Sequence, residues 1–305
     1  MKKMMLAALM VLVLALGLLG GAVAETGWTA AAPNGAPALA LTMVMKDNPG
    51  AVTLVAANTI AAEFSKNESD FLIAPINAGA KLFKAGKSDY RLAAVVTWGN
   101  LVFASQRADF RMETMNGQTV TLFGENTINA SIALYVMEKN GITPAAVEYL
   151  AGVAETQSLL LSDPDAIVLV AEPLITAAKM KNENVTSIAL NDLYKTATSF
   201  DGFTQAGLFV RKATAGEKPE VVKEFLSLVK ASCDACESDL NTVAETAVAL
   251  EILQNVKVAQ SAIPNCAIRY AAATEAREQI ETTAGIDLSQ FGGELPADDF
   301  YYAAE

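Results

Sequence analysis

The sequence predicts an α/β protein of two lobes, each built on a mixed, mostly parallel sheet flanked by helices. From Gly27 onward, short apolar runs alternate with helical stretches, which is the pattern of a sheet covered by helices. The chain has 305 residues, of which 52% are hydrophobic and 18% charged, and this is enough for a large core and usually for two lobes. After Arg211 the patterns become mainly helical, so the end of the chain is expected to pack back on the first lobe.

The predicted strands are short apolar runs, as buried strands usually are. Between them, Asn126 to Lys139 predicts the clearest helix, because Ile128, Ile132 and Val136 recur on one face and Asn140-Gly141 then ends it. The strands are predicted at 28–32, 51–56, 71–74, 92–97, 119–123, 147–150, 166–170, 186–189 and 207–210.

The end of the chain predicts three helices and one strand. The helices are expected at 219–230, 240–254 and 272–282, and the strand at 267–270. We expect lobe 1 to comprise 25–115 plus 205–305, and lobe 2 to comprise 116–204. The chain would cross between them near Arg111–Gly117 and near Ser199–Gln205, and these two crossings would form a hinge.

Residues 1–24 have the pattern of a signal peptide. Two lysines precede an unbroken apolar run from Met4 to Leu19, and Ala22-Val23-Ala24 supplies a small-x-small cleavage pattern. We expect cleavage before Glu25, with an uncleaved membrane anchor as the alternative because the run is only slightly shorter than a membrane span. No cysteine stands beside the cleavage site, so a periplasmic or secreted protein without a lipid anchor is expected.

Composition excludes several classes of function. The net charge of −12 argues against a nucleic-acid partner, which requires a basic face. The chain has no histidine, so Ser-His-Asp triads, Cys-His pairs and His-bearing zinc sites are excluded. We therefore expect no catalytic residues, no metal and no cofactor.

The three cysteines are Cys233, Cys236 and Cys266. In an oxidising compartment a pair of them is expected to form a disulfide, joining Cys266 to either Cys236 or Cys233. The Cys-x-x-Cys spacing could instead indicate a redox pair. Such a pair stands at the head of a helix after a strand, whereas these cysteines fall in or between predicted helices.

Candidate ligand-binding residues follow the predicted strands. In open parallel sheets ligands bind outside the carboxyl ends of the strands, at helix N-termini. The first strand is followed by Asn34, Gly35 and Ala36, which could equally form a plain turn. The third is followed by Asn77, which could equally be a simple helix cap.

Three further junctions carry candidates. Trp98 and Gly99 interrupt two apolar strands, and the indole could stack on a flat ligand or lie in the core. Glu172 follows a strong apolar strand and could face a ligand or complement its own helix dipole. The last junction, at Glu125, Asn126 and Thr127, is the start of the clearest predicted helix, whose free backbone N–H groups could face a ligand.

Several sequence segments, distributed over most of the mature chain, together resemble those of a known protein family. They are 32–37, 74–79, 96–100, the Gly124-Glu125 helix start, 171–174, and the closing segments 262–266, 291–296 and 300–302. They resemble the ABC-transporter substrate-binding proteins of the type 2 periplasmic fold, in the branch of thiamine-pyrimidine-precursor, sulfonate and nitrate binders. The resemblance implies a ligand held between the lobes near the residues named above. Many relatives carry a lipid-attachment cysteine that this chain lacks.

The expected function is therefore capture of a small molecule by a monomeric receptor and its delivery to the permease of an ABC importer. No Arg or Lys lies in the candidate loops, whereas Glu125 and Glu172 do. Oxyanion sites need positive charge or many amide donors, so a planar, neutral or cationic organic ligand is expected. Two alternatives remain at this point. One is an enzyme on the same fold, and the other is an extracellular scaffold without a small ligand.

Overall fold

The computed structural model describes residues 26–303, in which two β-sheets are each flanked by helices. This confirms the predicted α/β class. The strands are β1 (Ala30–Pro33), β2 (Val52–Val55), β3 (Phe71–Pro75), β4 (Tyr90–Thr97), β5 (Leu101–Ser105), β6 (Thr119–Phe123), β7 (Ala146–Leu150), β8 (Val168–Ala171), β9 (Thr186–Ala189), β10 (Ala206–Arg211) and β11 (Ile268–Ala272).

An α-helix follows each strand except β4 and β5, largely as the alternating pattern predicted. The α-helices are α1 (Thr42–Asp47), α2 (Ile60–Lys66), α3 (Ile76–Lys84), α4 (Ile128–Lys139), α5 (Val153–Ser162), α6 (Leu174–Lys181), α7 (Leu190–Thr198), α8 (Lys212–Glu217), α9 (Pro219–Ser238), α10 (Leu240–Ala249), α11 (Val256–Ala262) and α12 (Arg277–Ile286). Short 3₁₀ helices span Ala36–Leu41, Met112–Met115, Ile263–Asn265, Leu288–Phe291 and Asp298–Phe300.

The first sheet has six strands in the order β11-β4-β10-β3-β1-β2. Strand β10 lies at its centre and runs antiparallel to both β3 and β4, whereas β1 is parallel to β2 and β3. Alternate residues of a strand point to opposite faces, so Leu208 and Val210 enter one core while Phe209 enters the other. Helices α9 and α10 cover the first of these cores, as the predicted helical end of the chain requires.

The second sheet has five strands in the order β7-β6-β8-β5-β9. Both faces are again apolar, because Phe103 and Leu169 enter one core while Val102 and Val170 enter the other. Strand β5 runs antiparallel to β8 and β9, and β6 is parallel to β7 and β8. Each sheet with its own helices forms one lobe.

The chain changes sheet earlier than predicted. Strand β4 ends at Thr97 in the first sheet and β5 begins at Leu101 in the second, so the first crossing is Trp98–Asn100. This corrects the crossing predicted near Arg111–Gly117, and with it the limit of lobe 1 at residue 115. The physical reason is that β4 and β5 follow one another without a helix, so the sequence shows no composition change between the lobes. The return lies between Thr198 and Ala206, within the predicted segment.

The two crossings lie against each other. Gly99 has φ +85°, and a Cβ there would come within 2.5 Å of the Phe203 ring. A Cβ on Gly202 would come within 2.4 Å of the Trp98 carbonyl oxygen, and Gln205 N donates to Thr97 O at 3.0 Å. Glycines at Gly99 and Gly202 therefore allow two backbone segments to pass at close contact where the lobes join.

The predicted disulfide is corrected by the structure, in which Cys233, Cys236 and Cys266 are free and buried thiols. All three belong to the apolar core between the first sheet and α9–α10. Cys236 Sγ is directed at backbone carbonyls, Leu39 O at 3.8 Å and Ser232 O at 3.7 Å, rather than at another sulfur. They act as small apolar side chains, and burial raises the pKa of the Cys236 thiol to about 12.

The predicted signal peptide lies outside the described residues. Within 26–303, no helix combines the length and apolar character needed to cross a bilayer.

Candidate ligand-binding site

A cavity of about 620 Å³ lies where the strand ends of the two sheets meet. This volume is within the range of small-molecule sites. The first lobe contributes the ends of β1, β3 and β4 and the start of β10, and the second contributes the ends of β6 and β8 and the start of β5. The lining residues are Pro33, Asn34, Gly35, Ala36, Pro37, Ala57, Ile60, Pro75, Asn77, Ala78, Thr97, Asn100, Leu101, Phe123, Thr127, Ile128, Asn129, Val153, Ala171, Glu172, Pro173, Leu174, Gln205, Ala206 and Gln290.

Six of the ten candidate residues line this cavity. In the first lobe they are Asn34, Gly35, Ala36 and Asn77, and in the second they are Thr127 and Glu172. Gly35 has φ +110°, which allows the chain to turn from β1 into the Ala36–Leu41 helix. Asn34 Oδ1 accepts from Gly35 N at 2.8 Å, so its Nδ2 amide remains for another acceptor.

Asn77 lies in the first turn of α3, but it does not cap the helix, because Pro75 occupies the N-cap position. Its side chain makes no hydrogen bond to any other described residue. Asn77 lines the cavity with both its donor and its acceptor free, which suits a ligand with a hydrogen-bonding edge.

Thr127 has a structural role as well as a place in the cavity wall. It is the N-cap of α4, and its Oγ1 donates to Gly124 O at 2.6 Å and accepts from Ala130 N at 3.5 Å. Glu125 and Asn126, which precede it, are exposed and lie outside the cavity lining. The donor end of α4 therefore reaches the cavity through Thr127, Ile128 and Asn129.

Trp98 and Gly99 are not among the residues that line the cavity. Trp98 is buried, its Nε1 donates to Arg269 O at 2.8 Å, and the Arg269 guanidinium covers its ring at 4.2 Å from the centroid. Asn191 Nδ2 donates to the carbonyls of both Trp98 and Gly99 at 2.9 Å. The described contacts assign these two residues to the crossing between the lobes.

Glu172 is the single titratable side chain among the lining residues in the described chain, and it is 7% exposed. Its Oε1 accepts from Thr176 Oγ1 at 2.9 Å, whereas Oε2 is shielded from solvent and has no partner. Burial raises the pKa of this carboxyl, and the hydrogen bond from Thr176 opposes the rise only in part.

Asn100, directly before β5, forms hydrogen bonds with the backbone of Glu172. Glu172 N donates to Asn100 O at 2.9 Å, and Asn100 Nδ2 donates to Glu172 O at 3.1 Å. Asn100 Oδ1 and Asn129 Oδ1 are also shielded from solvent and without a partner. Three residues of the cavity wall thus carry unsatisfied acceptor oxygens, and each such group costs about 1–3 kcal/mol when buried.

Sequence reasoning missed four amide side chains of the wall, namely Asn100, Asn129, Gln205 and Gln290. Asn100 and Gln205 directly precede β5 and β10, the two strands that begin rather than end at the cavity. The rule that ligands bind at the carboxyl ends of strands overlooks residues at the start of a strand. Such residues reach the cavity here because β5 and β10 run antiparallel to their neighbours, and the sequence alone does not show that pairing. Asn129 is two residues after the predicted Thr127, and Gln290 comes from the distant end of the chain.

A glutamine at position 172 is expected to change how stability depends on pH. An acid whose pKa is raised by folding stabilises the folded state most below its unfolded value, near 4.5, and that contribution is lost as the pH rises through the raised pKa. Glu172→Gln cannot ionise, so its melting temperature should exceed that of the wild type at pH 8 by more than at pH 5.

The exposed Glu125→Gln is the control and should show no such trend. A Glu172→Gln difference that is equal at both pH values, or negative at pH 8, would contradict the prediction.

The fold and this cavity define a two-lobed α/β protein with the periplasmic-binding-protein fold. Residues 100–239 match the family model described as NMT1/THI5 like, a segment that runs from the first crossing through α9. No curated protein matches the chain.

Solved structures similar to this chain have the same fold over most of its length. An ABC transporter from Parabacteroides distasonis is 19% identical, with a TM-score of 0.79 over 91% of this chain and 99% of that one. The ligand-binding component of an ABC-type import system from Staphylococcus aureus, with zinc bound, is 15% identical, with a TM-score of 0.67 over 90% and 96%. The periplasmic aliphatic sulphonate binding protein from Escherichia coli is 12% identical, with a TM-score of 0.69 over 91% and 92%. The fold named in the sequence resemblance is confirmed.

Proposed function

We propose that this protein is the extracytoplasmic solute-binding protein of an ABC importer, which captures a small organic molecule between its lobes and delivers it to a membrane permease. The similar structures are described as ABC transporters, import components or periplasmic binding proteins, which supports this role. The observation that carries the proposal is the cavity of about 620 Å³ between the strand ends of both sheets. Closure around a hinge of two crossings would enclose the ligand.

The polar chemistry of the wall supports a neutral or cationic ligand. Six side chains of the wall are carboxamides and one is the Glu172 carboxylate, and the described lining contains no Lys or Arg. A free sulfonate or nitrate would meet an acidic group without a counter-charge. Carboxamides, by contrast, pair in two-point fashion with edges that carry a donor beside an acceptor, as planar heterocycles do.

An enzyme is less well supported by the same wall. General acid–base catalysis needs a titratable group matched to a second group that handles the other proton, or a nucleophile beside a base. Glu172 has the raised pKa of a candidate acid, but the described lining offers it no second titratable partner. A ligand-free scaffold is disfavoured because apolar side chains do not fill the cavity of about 620 Å³.

Thermal-shift measurements on the mature protein, unfolded and refolded to remove bound metabolites, test the proposal. The panel contains nucleobases, vitamin precursors and amines, with taurine and nitrate as the opposing class. Ligand at a hundred times its dissociation constant stabilises the folded state by about 2.7 kcal/mol, so a neutral or cationic heterocycle should raise the melting temperature clearly. The same compound incubated with the protein should be recovered unchanged.

An Asn77→Ala variant tests whether a compound that raises the melting temperature binds in the cavity. It should weaken binding by roughly tenfold or less, the value of one hydrogen bond, without lowering the melting temperature of the free protein. Asn241→Ala, at an exposed position of α10, is the matched control. Tight binding of taurine or nitrate would exclude the ligand class, and conversion of the compound would exclude the receptor role.

A further inference from the structure

The C-terminal segment forms a third link between the lobes, separate from the two crossings. Helix α12 places Ile280 and Ala284 in a buried core of the first lobe, while Ile286 packs against a core of the second lobe. The 3₁₀ helix Leu288–Phe291 then returns to the first lobe, where Phe291 is buried. We call Thr283–Gln290 the C-terminal clasp.

Three hydrogen-bonded contacts join the clasp to the second lobe. Ser131 Oγ, on α4, donates to Asp287 Oδ2 at 2.7 Å. Gln290 Nε2 donates to Asn126 O, at the start of the same helix, at 3.0 Å. The hydroxyls of Thr283 and Tyr194 lie 3.2 Å apart and are buried.

The chain on the far side of the clasp is anchored to the first lobe. Lys84 Nζ of α3 and Glu294 Oε1 form an ion pair at 2.9 Å, and Tyr302 N donates to Leu92 O of β4 at 2.8 Å. The clasp is therefore fixed to the first lobe at both ends and touches the second lobe in between.

The clasp also borders the cavity, since Gln290 lines it together with Ile128 and Asn129 of α4. Rotation of the lobes about the Trp98–Asn100 and Ser199–Gln205 crossings would separate α4 from a segment anchored on the other lobe. Opening then requires the contacts of Ser131 and Asn126 with the clasp to break or to be exchanged.

We propose that the C-terminal clasp holds the two lobes in the arrangement of this structure, called closed below, so that its contacts with α4 set the balance between this form and forms in which α4 and the clasp are apart, called open. The inference rests on the proposed receptor function only in that the lobes open and close. A ligand that touches Gln290 would bias the same balance, because the residue belongs to both the cavity wall and the clasp. The apparent affinity then depends on how far the clasp already populates the closed form.

The test measures the distance between the lobes in the full mature protein without ligand. Spin labels on Lys223→Cys and Glu183→Cys, exposed positions on opposite lobes, report the separation by double electron–electron resonance. The native cysteines are buried and do not compete for the label. In the parent protein the main distance should match the closed structure.

Ser131→Ala removes one contact and leaves the bonds of Asp287 to Ser289 N and Oγ, which cap the turn, in place. It should lower the closed-to-open ratio about fivefold, and Ser131→Ala with Gln290→Ala should lower it further. The fraction of labels at the longer distance should rise accordingly, while the thermal melt confirms that the variants are folded.

Glu294→Ala is the matched control, because it removes an exposed contact of the same segment to the first lobe alone. An unchanged distance distribution in the double variant, or an equal change in Glu294→Ala, would overturn the proposed role of the clasp. A parent protein that is already open would overturn it as well. None of these results would contradict the receptor proposal, which the thermal-shift measurements with the ligand panel test independently.

Discussion

Replacing Phe225 by alanine is expected to lower the free energy of unfolding by about 3–5 kcal/mol, the range found for large buried aromatics. The Phe225 ring is fully buried on α9, stacks on Phe71 of β3 with ring centroids 3.9 Å apart, and meets Trp28 edge-on at 4.5 Å. Its removal would leave a cavity between α9 and the first sheet that rigid strands cannot fill. Urea denaturation followed by tryptophan fluorescence measures the loss.

The neighbouring Glu224→Ala is the control for changes in the helix itself. Glu224 is exposed on the same helix and should leave the denaturation midpoint nearly unchanged. A Phe225→Ala loss of less than about 1 kcal/mol would mean that α9 does not pack on the sheet as described.

Local sequence patterns predicted most of the fold because its strands are short and separated by helices or turns. Strands β6 and β9 have the predicted limits, and the other predicted strands differ by no more than two residues at either end. Strand β5 is absent from the predicted ranges. The pattern did not separate the lobes at Trp98–Asn100, where two apolar strands are joined by three residues. Which sheet a strand joins depends on pairing with β8, β9 and β10 far along the chain.

The site was predictable where local sequence determines the geometry. Asn34, Asn77 and Glu172 each follow a strand that ends at the cavity, so the strand-end rule brought them together correctly in space. Trp98 also follows a strand, but its ring is covered by Arg269, which lies 171 residues away. Such a partner is visible only once β11 is known to pair with β4.

Glu172 illustrates why a cavity wall can be less stable than a core. A carboxylate oxygen without a partner, shielded from water, opposes folding, and a well-packed apolar residue would avoid that cost. Proteins tolerate such groups where ligands use them. The stability trend expected for Glu172→Gln and the ligand class in the thermal-shift panel are therefore two consequences of one buried carboxyl.

Replacing Asp70 by alanine should lower the free energy of unfolding by about 3 kcal/mol at neutral pH, as is found when one partner of a buried ion pair is removed. Asp70 is 5% exposed, and its Oδ1 accepts from Arg211 Nη2 at 2.9 Å and from Thr214 Oγ1 at 2.6 Å. Its Oδ2 accepts from Thr29 N at 3.0 Å. One carboxylate thus joins the segments before β1 and β3 to β10 and α8.

The effect of Asp70→Ala should also depend on pH. Burial alone would raise the pKa of Asp70, but hydrogen bonds from Thr214, Thr29 and Arg211 together hold it below its ordinary value. An acid with a lowered pKa stabilises the fold above its unfolded value, and this contribution is lost as the pH falls through the folded value. The difference between wild type and variant should therefore be full at pH 7 and shrink below about pH 4.

Urea denaturation at pH 7, 5 and 3.5 measures this difference, with Asp201→Ala as the matched control. Asp201 pairs with Lys195 at 2.6 Å, but both side chains are about two-thirds exposed, so the loss of this ion pair should change the free energy of unfolding little.

Asp70 lies at the end of the first sheet that is opposite the cavity, because β1 begins beside Thr29 and ends at Pro33 in the cavity wall. Folded Asp70→Ala should bind any ligand found in the panel as the wild type does. Equal losses in the two aspartate variants would show that Asp70 is not the buried junction described.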